Sequence, residues 1–241
     1  MDAKSQWYTE WFDSPYYPLL YRHRNEEEAA KFIDNLVSYL NPAPYTRILD
    51  IACGRGRHAL HLWQKGFYVT GIDLSSKNIS LAKQNRSNHL HFFVHDMRNV
   101  FKKNKFDIAL NLFTSFGYFE EEKDNCRVIE SAAKSLKPNG IFVLDFMNVK
   151  KIISSLKKEE KKVIDGIVFH ISRSVENGFI LKKIKVKENV FEEKVKALTW
   201  CDFKKYFSQT GFQIHALFGS YELSNFDEKI SDRLIIIAKK T

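Results

Sequence analysis

Two carboxylates and a glycine turn carry the most readable chemistry in this chain. In Arg47-Ile-Leu-Asp-Ile-Ala-Cys-Gly-Arg-Gly-Arg-His58, an apolar run reaches Asp50 and then a turn built on Gly54 and Gly56, after which a helix opens. Ile48, Leu49 and Ile51 suit a buried parallel strand, and the glycines let a ligand approach the backbone closely. A second strand, Phe67-Tyr-Val-Thr-Gly-Ile-Asp73, ends in another acid, placed where it can accept hydrogen bonds from both hydroxyls of a ribose. Together they read as a nucleoside site. The spacing Gly54-x-Gly56-x-x-Ala59, with Asp73 downstream, also satisfies a dinucleotide fingerprint. Charge separates the two readings. A pyrophosphate at the turn would face the like charge of Asp50, whereas a ligand with a positive group would be drawn to it.

Further signals follow in order. His91-Phe-Phe-Val-His-Asp-Met97 is a third strand ending in Asp96 and Met97. A fourth, Phe106-Asp-Ile-Ala-Leu-Asn-Leu-Phe113, leads into Thr114-Ser-Phe-Gly-Tyr118, and Leu136-Lys-Pro-Asn-Gly-Ile-Phe-Val-Leu-Asp145 gives a turn and a fifth strand. On these residues the chain resembles the class I S-adenosylmethionine-dependent methyltransferases, clearly over residues 45–150 and more loosely in the C-terminal quarter. The family's first motif, hydrophobic-hydrophobic-Asp-x-Gly/Ala-Cys/Ser-Gly-x-Gly, stands here as Ile48-Leu-Asp-Ile-Ala-Cys-Gly-Arg-Gly56. The turn departs from the family's Leu-Lys-Pro-Gly-Gly at Asn139, a residue that tolerates left-handed backbone.

The resemblance implies S-adenosylmethionine as cofactor, held by Asp50, Ala52, Cys53, Gly54 and Gly56 of the first motif. It implies Asp73 on the ribose, Leu74 against the adenine, and Asp96 with Met97 at the adenine amino group and ring. Asn111 and Phe113 after the fourth strand and Tyr21 near the N-terminus complete the expected cofactor set. Tyr17, Arg24 and Tyr118 are the expected acceptor contacts. No catalytic side chain is singled out: the sulfonium leaving group is already activated, so positioning supplies much of the acceleration.

The elements that must position these groups are legible from periodicity. Ala29, Phe32, Ile33, Leu36, Val37 and Leu40 recur at helical spacing over Glu26–Leu40 and stop at Asn41-Pro-Ala-Pro44. Strands and helices then alternate to residue 147, which predicts a doubly wound parallel α/β sheet with ligands at the strands' carboxyl ends. The alternation breaks after residue 150. Val163–Val175, a turn at Glu176-Asn-Gly178 and Phe179–Lys187 read as an antiparallel hairpin, with a third strand near Val190–Leu198. Lys157-Lys-Glu-Glu-Lys-Lys162 reads as a solvated helix face or loop. Thr199-Trp-Cys-Asp202 resembles a capping box, and strands near Phe212–Phe218 and Arg233–Ala238 finish the sheet. The resemblance makes the last of these antiparallel, completing seven strands, and likens the insertion to that of glycine and nucleotide-sugar N-methyltransferases. The expected organisation is an aromatic cap and helix over 1–40, a cofactor core over 41–150, a β insertion over 151–198, and the rest of the core over 199–241.

The first 25 residues hold Trp7, Tyr8, Trp11, Phe12, Tyr16, Tyr17 and Tyr21 without clean periodicity, and so many rings predict a cap over the cofactor mouth. The 241 residues carry a formal net charge of +9, and residues 150–196 hold 13 Lys and Arg against 7 Asp and Glu. That excess could attract a polyanion, but its alternation with apolar residues reads first as the wet face of strands. No run is long enough to span a bilayer and the N-terminus lacks a signal-peptide layout, so a cytoplasmic location is expected. Cys53, Cys126 and Cys201 lie far apart and read as reduced thiols, and the scattered histidines complete no recognisable metal set. After the fourth strand, Asn111-Leu-Phe-Thr lacks the Pro-Pro-aromatic sequence of base N-methyltransferases. A small-molecule acceptor methylated on O or N is therefore expected; RNA, or a cofactor-binding protein without turnover, ranks behind it. The oligomeric state is left open.

Overall fold

The computed structural model describes residues 7–22 and 26–241. A seven-stranded sheet forms its centre, built from β1 (Arg47–Ile51), β2 (Tyr68–Asp73), β3 (Leu90–Val94), β4 (Phe106–Asn111), β5 (Leu136–Met147), β10 (Phe212–Phe218) and β11 (Arg233–Lys240). Their order is β10-β11-β5-β4-β1-β2-β3. β1 to β5 run parallel, and β11 pairs antiparallel with both β5 and β10. The doubly wound expectation holds, including the reversed last strand. Strand order reverses between β1 and β4, the switch point where an open α/β sheet leaves a crevice at its carboxyl edge.

Helices α3 (Glu26–Leu40), α4 (Arg57–Gln64), α5 (Ser76–Ala82), α6 (Glu122–Ser135) and α8 (Trp200–Gln209) belong to this core. One face of the sheet buries Phe32, Ile33 and Leu36 of α3 and Ala59 and Leu62 of α4; the other buries Val128 and Ile129 of α6 and Phe203 and Phe207 of α8. α8 starts as its sequence predicts: the Thr199 backbone N–H donates to Asp202 Oδ2 at 2.7 Å. The Lys137-Pro-Asn-Gly140 turn falls inside β5 as an irregularity. Phe106 pairs with Leu136 but Ile108 with Ile141, and Asn139 takes a left-handed φ of 62°.

The insertion differs from its sequence reading. It holds four antiparallel strands, β6 (Glu159–Ile164), β7 (Ile167–Glu176), β8 (Phe179–Val186) and β9 (Asn189–Lys196), preceded by the short α7 (Val149–Ser154). The segment around Lys157–Lys162 therefore supplies a strand, and the expected strand over 163–175 is a strand end, a turn and a second strand. The turn is Asp165-Gly166 with φ of 48° and 74°, matching Asn177-Gly178 with 50° and 78° at the next hairpin. Positive φ at both central positions matches the right-handed twist of the strands, and Asp-Gly and Asn-Gly adopt it at low cost.

The N-terminal rings form α1 (Trp7–Phe12) and α2 (Tyr16–Leu20) and lie on one face of the insertion. Trp11 and Leu20 are buried with Phe169, Ile171, Ile184 and Val186 in a core of their own, separate from the two flanking the large sheet.

Gly71 in β2 is closely packed beneath the site. A Cβ there would lie 2.7 Å from Phe92 Cδ1 and 2.8 Å from Cys53 Sγ. Gly71→Ala should cost about 1–3 kcal/mol by overpacking, seen as a lower urea midpoint with an unchanged slope.

Candidate active site

β1 delivers Asp50 to the sheet's carboxyl edge, 1% exposed. The chain then turns through Ala52, Gly54 and Gly56 with φ of 59°, 55° and 82° before α4 begins. The two glycines do different work. Around Gly54 nothing stands within 4 Å of where a Cβ would be, so its backbone borders open space, and its N–H donates to Asp73 Oδ2 at 2.9 Å. At Gly56 a Cβ would lie 2.6 Å from Phe92 Cε1. Gly56 lets the turn sit against a ring, and it does not border the cavity.

Asp50 Oδ2 is buried without a hydrogen-bond partner. Burial, then the neighbouring charge of Asp73, lifts its carboxyl to about 7, against weaker opposition from Arg57 and the Ala59 backbone N–H. Asp73 is likewise raised by burial, offset by bonds from the Ser75 and Gly54 N–H groups. Two buried acids, one with an orphaned oxygen, make a place for a cation and a poor one for a pyrophosphate. This geometry favours a positively charged nucleoside over a dinucleotide.

A cavity of about 630 Å³ opens from this edge and runs beneath α1 and α2. It is bordered by Asp50, Ala52, Cys53, Gly54, Asp73, Leu74, Asp96, Met97 and Phe113 from the core and by Tyr17, Tyr21 and Tyr118. Of the expected contacts, Asn111 is the other that does not border it. Asn111 is fully buried and donates to the carbonyls of Ile51 and Ser115, so it ties the β1 end to the β4 loop. Arg24 lies outside the described residues. Among the described residues, no group of three or more His, Cys, Asp and Glu could hold a metal ion.

Several residues bordering the site carried no sequence signal. Asp96 is gripped by Arg98, through both Nε and Nη2, and Arg98 also reaches Asp124. Burial would raise the Asp96 carboxyl, but the Arg98 bonds together hold it below its usual range. Phe113 and Thr114 adopt left-handed φ of 57° and 62°, a strained pair held by Asp145: its Oδ2 accepts from Phe113 N at 2.7 Å, and its carbonyl from Thr114 N. Arg233 of β11 neutralises this fully buried acid at 2.8 Å and reaches Thr114 Oγ1 at 2.9 Å. Glu193 arrives from β9 and accepts from Trp11 Nε1 and the Tyr21 hydroxyl, both at 2.6 Å. Only the spacing Asp145 to Arg233 across paired strands could have been guessed from sequence. Glu193 depends on how the insertion folds back.

The fold is similar to that of S-adenosylmethionine-dependent methyltransferases of known structure, and residues 48–140 match a family described as a methyltransferase domain. Among curated proteins, the chain is similar to YqeM of Bacillus subtilis, named provisionally as a methyltransferase, at 38% identity over 109 residues, 44% of each chain. It is 29% identical over 131 residues to a dTDP-3-amino-3,4,6-trideoxy-alpha-D-glucopyranose N,N-dimethyltransferase of Streptomyces venezuelae, 54% of each chain. The chain thus spans about half the length of these two relatives. Among solved structures, an S-adenosylmethionine-dependent methyltransferase from Clostridium acetobutylicum superposes with a TM-score of 0.79 at 21% identity, covering 93% of this chain and 96% of that one. The amino pentose methyltransferase CalS10 from Micromonospora echinaspora, solved with S-adenosylmethionine bound, gives 0.73 at 18%, covering 95% and 98%.

The buried Asp50 carries a testable cost. Its folded-state carboxyl titrates above its unfolded value, so the protein loses stability as pH rises from about 4 to 7 on this account. Asp50→Asn should therefore stabilise the ligand-free protein by about 1–3 kcal/mol at pH 8, with the gain shrinking toward pH 4, as read from urea unfolding at each pH.

Proposed function

We propose that the protein transfers a methyl group from S-adenosylmethionine to an O or N atom of a small molecule held beneath the α1–α2 cap. The orphaned Asp50 oxygen beside the open face of Gly54 carries this reading. It offers an anion for the cofactor's amino group and sulfonium region, while backbone N–H groups of the turn suit its carboxylate. Asp73 would take the ribose hydroxyls. Leu74 and Met97 would flank the base, and Asp96, braced by Arg98, would meet its edge. When bound, the cofactor supplies an activated methyl on sulfur, and the chain's part is to bind, align and exclude water.

The aromatic roof supports a small acceptor. Trp7, Tyr8, Phe12, Tyr17 and Tyr118 border the cavity, and ring pairs such as Trp7 with Tyr118 at 5.1 Å and Phe12 with Tyr17 at 4.9 Å form its wall. The cap is also latched to the cofactor end: Ser75 Oγ donates to Asp13 Oδ1 at 2.5 Å, and Lys77 Nζ to the Asp13 carbonyl at 2.6 Å. An RNA acceptor remains the second reading, favoured by Lys161, His170 and Lys185, which are exposed on the outer face of the insertion in one cross-strand row. No described helix is long and apolar enough to cross a membrane.

Thermal unfolding tests the cofactor. S-adenosylhomocysteine at about 100 times its dissociation constant adds about 2.7 kcal/mol and should raise the midpoint by roughly 5–10 °C, with NAD and NADP leaving it unmoved. Stabilisation by NAD alone would overturn the reading. Asp73→Ala should weaken S-adenosylhomocysteine binding by about 1.5–3 kcal/mol, roughly 10- to 100-fold by calorimetry, through loss of charge-assisted hydrogen bonds.

A further inference from the structure

One cluster at the cavity edge is not called on by the cofactor contacts proposed above, although Tyr21 within it is an expected cofactor contact on sequence grounds. Across β7, β8 and β9, the register sets Arg173, Lys182 and Glu193 in one row. Arg173 is paired with Glu160 of β6 at 2.7 Å. The side chains of Lys182 and Glu193 are only 14% and 16% exposed, with Nζ 3.6 Å from Oε2. Tyr21, just past α2, meets both. Its hydroxyl donates to Glu193 at 2.6 Å from Oε1 and accepts from Lys182, whose ammonium lies 4.4 Å from the ring centroid. Next to Tyr21 in the chain, Arg22 is exposed and paired with Asp165 at 2.8 Å. Tyr21 and Glu193 both border the cavity.

A phenolic hydroxyl bonded to a carboxylate can hand over its own proton as it takes another, and an adjacent ammonium stabilises the negative charge in passing. Methylation of a neutral amine has little use for such a path, whereas a hydroxyl must lose its proton as its oxygen attacks. The aromatic wall suits a flat partner. We propose that the acceptor is an aromatic hydroxyl, a phenol, whose proton passes to Tyr21 as the Tyr21 proton passes to Glu193. The freed oxygen forms the new C–O bond with the donated methyl as the C–S bond breaks and its electron pair stays on sulfur. The reaction ends with an aryl methyl ether, a neutral thioether and one proton on Glu193. This assignment rests on the methyltransferase reading above.

The test uses 4-nitrophenol, whose phenolate absorbs visible light, titrated with pH on the full chain saturated with S-adenosylhomocysteine. The bound phenol should ionise about one pH unit or more below the free probe. Lys182→Met should abolish that shift, because the ammonium is the group that favours the phenolate, whereas Glu193→Gln removes a like charge and should leave the bound probe ionising at least as low. With S-adenosylmethionine as donor and 4-methylphenol, which is un-ionised at neutral pH, as acceptor, Glu193→Gln should slow methyl transfer about 10-fold or more while calorimetry finds S-adenosylhomocysteine affinity unchanged. A bound probe with an unshifted ionisation, a shift that survives Lys182→Met, undiminished methyl transfer in Glu193→Gln, no transfer to 4-methylphenol by the wild-type chain, or no probe binding at millimolar concentration would each overturn the phenol assignment with the cofactor reading intact. Failure of S-adenosylhomocysteine to bind the wild-type chain would instead overturn the cofactor reading, and the phenol assignment with it.

Discussion

A carboxylate held out of water with one oxygen unpartnered is the constraint around which this molecule is arranged. Asp50 cannot move away, because β1 is paired on both sides by β2 and β4 and its neighbours Leu49 and Ile51 belong to the buried core. Its Oδ2 is buried without a partner, and burial together with the neighbouring Asp73 lifts its carboxyl to about 7. The surrounding devices keep that arrangement open. Gly54 leaves space where a side chain would stand, Gly56 and Gly71 let Phe92 pack directly beneath, and Asp73 spends hydrogen bonds on fixing the turn. The fold thus bears the cost of a buried acid at the head of its central turn.

The far half of the site is organised differently. Around the turn, backbone and strand ends fix each group; under the cap, side chains fix one another. Asp145 and Arg233 brace the strained Phe113–Thr114 pair from neighbouring antiparallel strands, and Phe113 is packed between His58 at 4.9 Å, Tyr221 at 4.9 Å and the Arg57 guanidinium at 4.5 Å. His58 is kept neutral by burial, well below its usual range, so this wall adds no further charge from the imidazole. Rigid support reaches the cavity from β11, the last strand of the chain, which explains why the sheet's reversed strand matters to the site and not only to the fold.

The core was largely legible in the sequence, for a physical reason. A parallel strand buried on both faces reads as an apolar run, a strand-end acid interrupts it, and glycine marks a turn, so Asp50, Gly54 and Asp73 announce the elements that carry them. Spacing does not show that Gly56 packs against Phe92 or that the Asn111 side chain bonds the Ile51 and Ser115 carbonyls, because both follow from how the strands stack. The insertion was less legible. Its lysines alternate with apolar residues in β8 but are consecutive in Lys157–Lys162, where charge hid the period of β6, and the Asp165-Gly166 turn was passed over inside an apolar run. Glu193 left no local trace, since its partners lie 11 to 182 residues away in sequence.

The separate core shared by α1, α2 and the insertion sheet joins chain segments that are far apart in sequence. Residues 7–22 and 159–196 share this core, while Ile180 of β8 and Val195 of β9 reach into the core of the large sheet and tie the two together. Neither half could be exchanged with another protein alone, because Trp11 and Leu20 would lose Phe169, Ile171, Ile184 and Val186. Recombination or engineering of this region must move both pieces together and must also keep the seam at which Ile180 and Val195 meet the large sheet.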